Sequence, residues 1–139
     1  PYRPEDFTEC NINYAIYGNP DASRLIVTYG RLFADACVAK RELSKIGIEA
    51  CILKLCRIKP LDIEAVKFAS KFNKVHFFEE GMLTGGIGET FGYGMDKLGF
   101  KGSYGITAVD DRFVPHASVK ESMQSLRLNA LGIYDIVRR

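Results

Sequence analysis

Short β-branched runs alternate with stretches of helical periodicity along almost the whole sequence, and that alternation limits the chain to a layered α/β architecture. Residues 25–29 (Leu-Ile-Val-Thr-Tyr) form one such run, closed by Gly30. From Arg31 the period becomes helical, with Leu32, Ala36, Ala39, Leu43 and Ile46 on one face and Lys45-Ile46-Gly47 as the stop. Residues 48–56 are a second, strongly apolar strand. Lys59-Pro60-Leu61 then ends the ladder, because proline donates no hydrogen bond and holds the residue before it extended. Asp62 is placed to cap a helix whose inward residues are Ile63, Val66, Ala69 and Phe72. Residues 75–78 are a third strand, ending at Glu79-Glu80, and a Gly-rich turn leads into a helix that Gly99 stops. Residues 104–109 are expected as a further, central strand. Ser118 and Glu121 have capping-box spacing at the head of a helix to about Leu128, and residues 130–137 form a last short helix.

Ahead of these units, residues 11–17 set Ile12, Tyr14 and Ile16 against Asn13, Ala15 and Tyr17, and Gly18-Asn19-Pro20-Asp21 follows as a turn. The expectation is a half-exposed edge strand, antiparallel to the rest because its connection is so short. The predicted fold is therefore a three-layer α/β/α domain with a five-stranded mixed sheet, mostly parallel, the first strand antiparallel. Residues 1–11 are polar with two prolines and are expected to be a linker from an upstream domain, leaving 12–139 as the folded unit. Pro1 is preceded by no Met, basic segment or apolar segment, so the expectation is a piece of a longer chain.

Composition narrows the function. A length of 139 residues, 47% of them hydrophobic, suits one domain that needs no stapling, and a net charge of +2 with interspersed signs disfavours nucleic acid as a partner. The longest apolar runs fall far short of the roughly 20 residues that span a bilayer. The four cysteines (Cys10, Cys37, Cys51, Cys56) form no Cys-x-x-Cys pair and read as free, mostly buried thiols of a reducing, cytoplasmic compartment.

Few residues carry chemistry. Gly85-Gly86-Ile87-Gly88-Glu89-Thr90-Phe91-Gly92 opens a helix after a strand, so its amides could hold an anion or could allow close backbone packing. The spacing is neither a dinucleotide fingerprint nor a phosphate loop, and Glu79 and Glu80, on opposite sides of a strand, are no catalytic pair. His76 lies in a strand as a packed or edge residue. His116 leaves the carboxyl end of the last strand in Asp110-Asp111-Arg112-Phe113-Val114-Pro115-His116, where open α/β sheets place ligands. No nucleophile accompanies it, so the expectation is a positioning loop, with one Asp capping the turn, Arg112 paired locally and His116 bonded near the Ser118 cap. Two histidines 40 residues apart give no metal pattern. No catalytic, cofactor-binding or metal-binding residue is predicted; Lys59, Asp62, Glu80, Gly85, Gly86, Gly88, Asp111, Arg112 and His116 are expected at an interface or in a positioning role.

Taken in order, Leu25-Ile26-Val27-Thr28-Tyr29-Gly30, Arg57-Ile58-Lys59-Pro60-Leu61-Asp62, Glu79-Glu80-Gly81 and Gly85-Gly86-Ile87-Gly88 resemble the C-terminal domain of transketolase-like thiamine diphosphate enzymes over residues 12–139. The ending is most similar to that of the 1-deoxy-D-xylulose-5-phosphate synthases, through Asp111-Arg112-Phe113-Val114-Pro115-His116 and Leu128-Asn129-Ala130-Leu131-Gly132-Ile133. Ala117, where that family usually has Gly, and Gly81, where it often has Asn, depart from the pattern. The resemblance implies an assembly domain of a larger homodimer that joins pyruvate to glyceraldehyde 3-phosphate with loss of carbon dioxide. Thiamine diphosphate and Mg2+ would be held by upstream catalytic domains of the same polypeptide, and the fragment alone would be inactive. The matching domain of a transketolase or of a 2-oxo-acid dehydrogenase β subunit, and a free-standing module binding an anion at Gly85, are the alternatives.

Overall fold

The computed structural model describes residues 3–139; residues 1–2 of the expected linker lie outside the described residues. After a 3-10 turn at Pro4–Asp6, the elements are β1 (Phe7–Cys10), β2 (Tyr14–Tyr17), β3 (Arg24–Tyr29), α1 (Leu32–Lys45), β4 (Ala50–Leu55), α2 (Ile63–Ala69), β5 (Lys74–Met82), α3 (Ile87–Lys97), β6 (Ser103–Val109), α4 (Val119–Ser125) and α5 (Ala130–Val137). They build one six-stranded sheet in the order β1-β2-β4-β3-β5-β6. Strands β3 to β6 run parallel to one another, while β2 runs antiparallel to β4 and β1 antiparallel to β2.

The sheet thus has six strands rather than five. The additional one, Phe7–Cys10, comes from the stretch expected as a linker, and its burial is low enough that no hydrophobic pattern announces it. Its presence corrects the reading of the next strand. β2 is buried along its whole length rather than a half-exposed edge, because Tyr14 and Ile16 pack into one layer and Tyr17 into the other. Its antiparallel partner is β4 and not the strand that follows it, so residues 18–23 carry the chain past β4 to β3. Conversely β6 sits at the opposite edge rather than in the centre, and its side chains are only partly covered.

Two apolar layers flank the sheet. Leu25, Val27, Leu53, Val75 and Phe77 face α2 and α3, meeting Val66, Phe91 and Met95. Ile26, Ile52 and Phe78, of opposite parity, face α1 and α5, meeting Phe33, Leu43 and Ile133. Each such fully buried side chain contributes roughly 1.5–3 kcal/mol, which is what holds both helical layers to the sheet. The Asp62 cap of α2 and the Ser118–Glu121 capping box of α4 form as expected. Of the cysteines, Cys37 and Cys51 are buried but Cys10 and Cys56 are exposed, so the thiols are half, not mostly, buried.

Candidate functional site

Because β3, β4, β5 and β6 run parallel, the segments leaving their carboxyl ends gather at one end of the sheet: Gly30-Arg31, residues 56–62, residues 83–86 and residues 110–118. The chain moves from β3 to β4 on one side and reaches β5 on the other, so the crevice of such a sheet opens between β3 and β5. Here that crevice is filled from within. Glu79 has the same strand parity as the core residues Val75 and Phe77 and is 1% exposed. Its Oε1 accepts the amide hydrogen of Gly88 at 3.0 Å, and its Oε2 accepts that of Ile87 at 3.1 Å. The Tyr29 hydroxyl donates to the same Oε2 at 3.1 Å, and burial with the neighbouring Glu79 charge pushes that phenol up to about 12.

Gly86, the residue that precedes α3, has no side chain with which to cap it, so Glu79 performs that task from across the turn. Glu89 accepts the Gly85 amide hydrogen at 2.7 Å, and the Tyr104 hydroxyl donates to the Gly88 carbonyl at 2.5 Å. A Cβ on Gly86 would collide with the Met82 carbonyl and the Glu79 carboxylate. The expectation of close backbone packing describes this turn, whereas the alternative of an external anion does not: the helix amides that would receive it already hold a buried carboxylate. Glu80 points the other way, to solvent, and pairs with Arg31 beyond β3. Glu79 and Glu80 are therefore on opposite sides, as alternation requires.

The remaining predicted residues are spread along the same end of the sheet. Asp62 caps α2 through Oδ1, which accepts from Glu64 N at 2.9 Å, while Oδ2 accepts from Asn13 Nδ2 at 2.6 Å; these bonds lower its pKa. Lys59 is exposed beside it. Asp111, Arg112 and His116 all lie exposed on the 110–118 segment, with Arg112 3.8 Å from Asp110. His116 makes no hydrogen bond to the Ser118 cap, which corrects the expectation, because Glu121 already occupies both the hydroxyl and the backbone amide of Ser118. His76 is inside a strand and half-buried, its Nε2 2.8 Å from Thr107 Oγ1, and burial lowers its pKa to about 4.

With this geometry in view, residues 15–133 match the family model "Transketolase, C-terminal domain". The chain belongs to the transketolase C-terminal domain family. Within that family it is 31% identical over 115 residues to the 1-deoxy-D-xylulose-5-phosphate synthase of Synechococcus sp. (strain JA-3-3Ab), covering 82% of this chain and 18% of that one. It is 34% identical over 115 residues to the enzyme of the same name from Brevibacillus brevis (strain 47 / JCM 6285 / NBRC 100599), covering 81% and 18%. This transketolase C-terminal domain chain therefore spans about a fifth of the length of the curated relatives it matches. Among solved structures, a split-gene transketolase described as an inactive β4 tetramer superposes with a TM-score of 0.72 at 22% identity, over 85% of this chain and 38% of that one. A Pichia stipitis transketolase superposes with a TM-score of 0.65 at 16% identity, over 91% and 18%. Both share the fold.

Sequence reasoning missed the parts of Tyr29, Arg31 and Tyr104 in this network. One signal was within reach: the parity Val75, Phe77, Glu79 puts an acid on the core side of β5, where it must find donors, and the free amides of the next helix are the nearest ones.

Proposed function

We propose that this chain is the C-terminal structural and assembly domain of a 1-deoxy-D-xylulose-5-phosphate synthase, which condenses pyruvate with glyceraldehyde 3-phosphate and releases carbon dioxide in the cytoplasm. The observation that carries the reading is the 31–34% identity to enzymes of that name over four fifths of this chain. The carboxyl-end segments fit a docking face toward upstream catalytic domains or a second subunit of a homodimer. Phe113 is 83% exposed on the 110–118 segment, the kind of apolar side chain that a partner would cover.

Thiamine diphosphate and Mg2+ belong to the proposed parent enzyme, and the residues described here do not fit them. The helix N-terminus that would suit a diphosphate is filled by Glu79. No group of three or more His, Cys, Asp or Glu among the described residues is placed to hold a metal ion. On this reading the chain's own contribution is to present its carboxyl-end loops to the rest of the enzyme, and the isolated chain is expected to be inactive.

The test is to express the whole reading frame from which this segment derives and assay it with pyruvate and glyceraldehyde 3-phosphate. Carbon dioxide release that depends on thiamine diphosphate is expected. Ketol transfer between sugar phosphates without carbon dioxide would assign a transketolase instead, and a frame beginning at residue 1 whose product has neither activity would overturn both. Calorimetry on the isolated chain should give no saturable binding of thiamine diphosphate with magnesium.

A further inference from the structure

At the end of the sheet opposite the Glu79 network, the strand register assembles a row of donors that no sequence motif contains. Arg24 pairs with Lys74 across β3 and β5, and Lys74 pairs with Ser103 across β5 and β6. Alternation turns all three toward the α1/α5 layer, since Arg24 shares parity with Ile26, and Lys74 with Phe78. The last turn of α5, through Ile136, borders the row, whose Lys74 and Ser103 are exposed, and with His76 bounds an open cavity of about 340 Å3. That is the size of a small-molecule site rather than of a packing defect.

The charged side chains of this cavity are all of one sign. Arg24, Lys74 and Arg139 line it, and none of the residues lining it is acidic. The acid of α5, Asp135, is engaged by Arg138 at 3.1 Å. Arg24 Nε is buried and has no hydrogen-bond partner among the described residues, the single side-chain nitrogen or oxygen found in that condition. Its guanidinium makes one long bond, from Nη1 to Ser23 Oγ at 3.4 Å. Lys74 Nζ donates to a main-chain oxygen of Arg139, a carboxylate oxygen in the 139-residue chain, at 3.2 Å and keeps two further donors. A buried N–H without an acceptor is costly, and an anion in the cavity would supply one to Arg24 Nε.

We propose that this cavity binds a small phosphate-bearing anion through Arg24, Lys74 and the hydroxyl of Ser103. The donors come from three adjacent strands, each roughly 4.8 Å from the next, and share one face of the sheet. A tetrahedral oxyanion offers an oxygen to each, whereas a planar carboxylate satisfies two. Gly105 leaves the room that the His76 ring occupies at the cavity wall; a Cβ there would collide with the imidazole.

The experiment is a titration of the 139-residue chain, at about 0.15 M salt to screen loose surface attraction, followed by amide NMR shifts. The probes are inorganic phosphate, glycerol 3-phosphate and acetate. Saturable shifts centred on Lys74, Ser103 and Gly105 are expected with both phosphates and not with acetate. Tighter binding of glycerol 3-phosphate assigns the site to a phosphorylated metabolite, and equal binding assigns it to free phosphate. Arg24→Gln and Lys74→Gln should each weaken binding about tenfold or more, the loss of one charge-assisted hydrogen bond, while Lys120→Gln on α4 leaves it unchanged. Ser103→Ala, at an exposed strand end, keeps the test valid if the Arg24 variant fails to fold, and should also weaken binding. Absence of saturation by about 10 mM phosphate, equal shifts with acetate, or wild-type affinity in the folded Lys74 and Ser103 variants would overturn the proposal.

Discussion

The carboxylate of Glu79 caps a helix that begins eight residues after it: Ile87 N lies 3.1 Å from one oxygen and Gly88 N 3.0 Å from the other. A buried acid on a strand and an uncapped helix thus solve each other's problem, since each supplies what the other lacks. Glu79→Gln leaves one acceptor and turns an NH2 toward a second amide, so it should cost about 1–3 kcal/mol of stability. Denaturant unfolding of wild type and variant measures it. A loss under about 0.5 kcal/mol, the level of an ordinary surface change, would mean that the contact does not hold the turn.

Gly86 and Gly85 differ in why they are glycine. Gly85 has φ +74° with open space around it, whereas Gly86 is extended and stands against Met82 and Glu79. Gly86→Ala should therefore destabilise through overpacking, by about 1–3 kcal/mol. In a Glu79→Ala background part of the collision is gone. The double variant should then fall short of the sum of the two single ones by about 0.5 kcal/mol or more, and strict additivity in the cycle would contradict this packing.

His116 and Ser118 lie two residues apart and should behave differently. His116 is exposed and has no hydrogen bond among the described residues, so His116→Ala should change stability by no more than about 0.5 kcal/mol. Ser118 supplies a capping box to α4, and Ser118→Ala should cost about 1 kcal/mol. Thermal melts of both variants make the comparison; equal effects would place His116 in a contact that this structure lacks.

His76 links stability to pH. Burial lowers its pKa from 6.5 to about 4, so between those values the unfolded chain binds a proton that the folded chain does not. Stability consequently rises with pH through this window and is lost as pH falls from 6.5 toward 4, by about 2–3 kcal/mol for this group. His76→Gln should flatten that part of the profile relative to wild type. Parallel profiles for the two proteins between pH 4.5 and 6.5 would rule His76 out as its source.

The sequence by itself determined the elements and the class. Alternating apolar runs and helical periodicity placed α1, α2, α3 and α5, and local cap chemistry at Asp62 and Ser118 marked two helix starts, because such signals depend on residues two to four positions apart. Strand order lay beyond that reach. Phe7–Cys10 joins the sheet with little burial of its own, β2 bypasses β3 to pair with β4, and β6 is left at an edge. These outcomes are decided by which faces can be covered at once, a property of the whole packed layer. The same holds for the sites: Glu79 meets Tyr29 across 50 residues, and Arg24 meets Lys74 across the same separation. Only the register of the folded sheet brings such residues within reach of one another, since no local propensity couples positions so far apart in the chain.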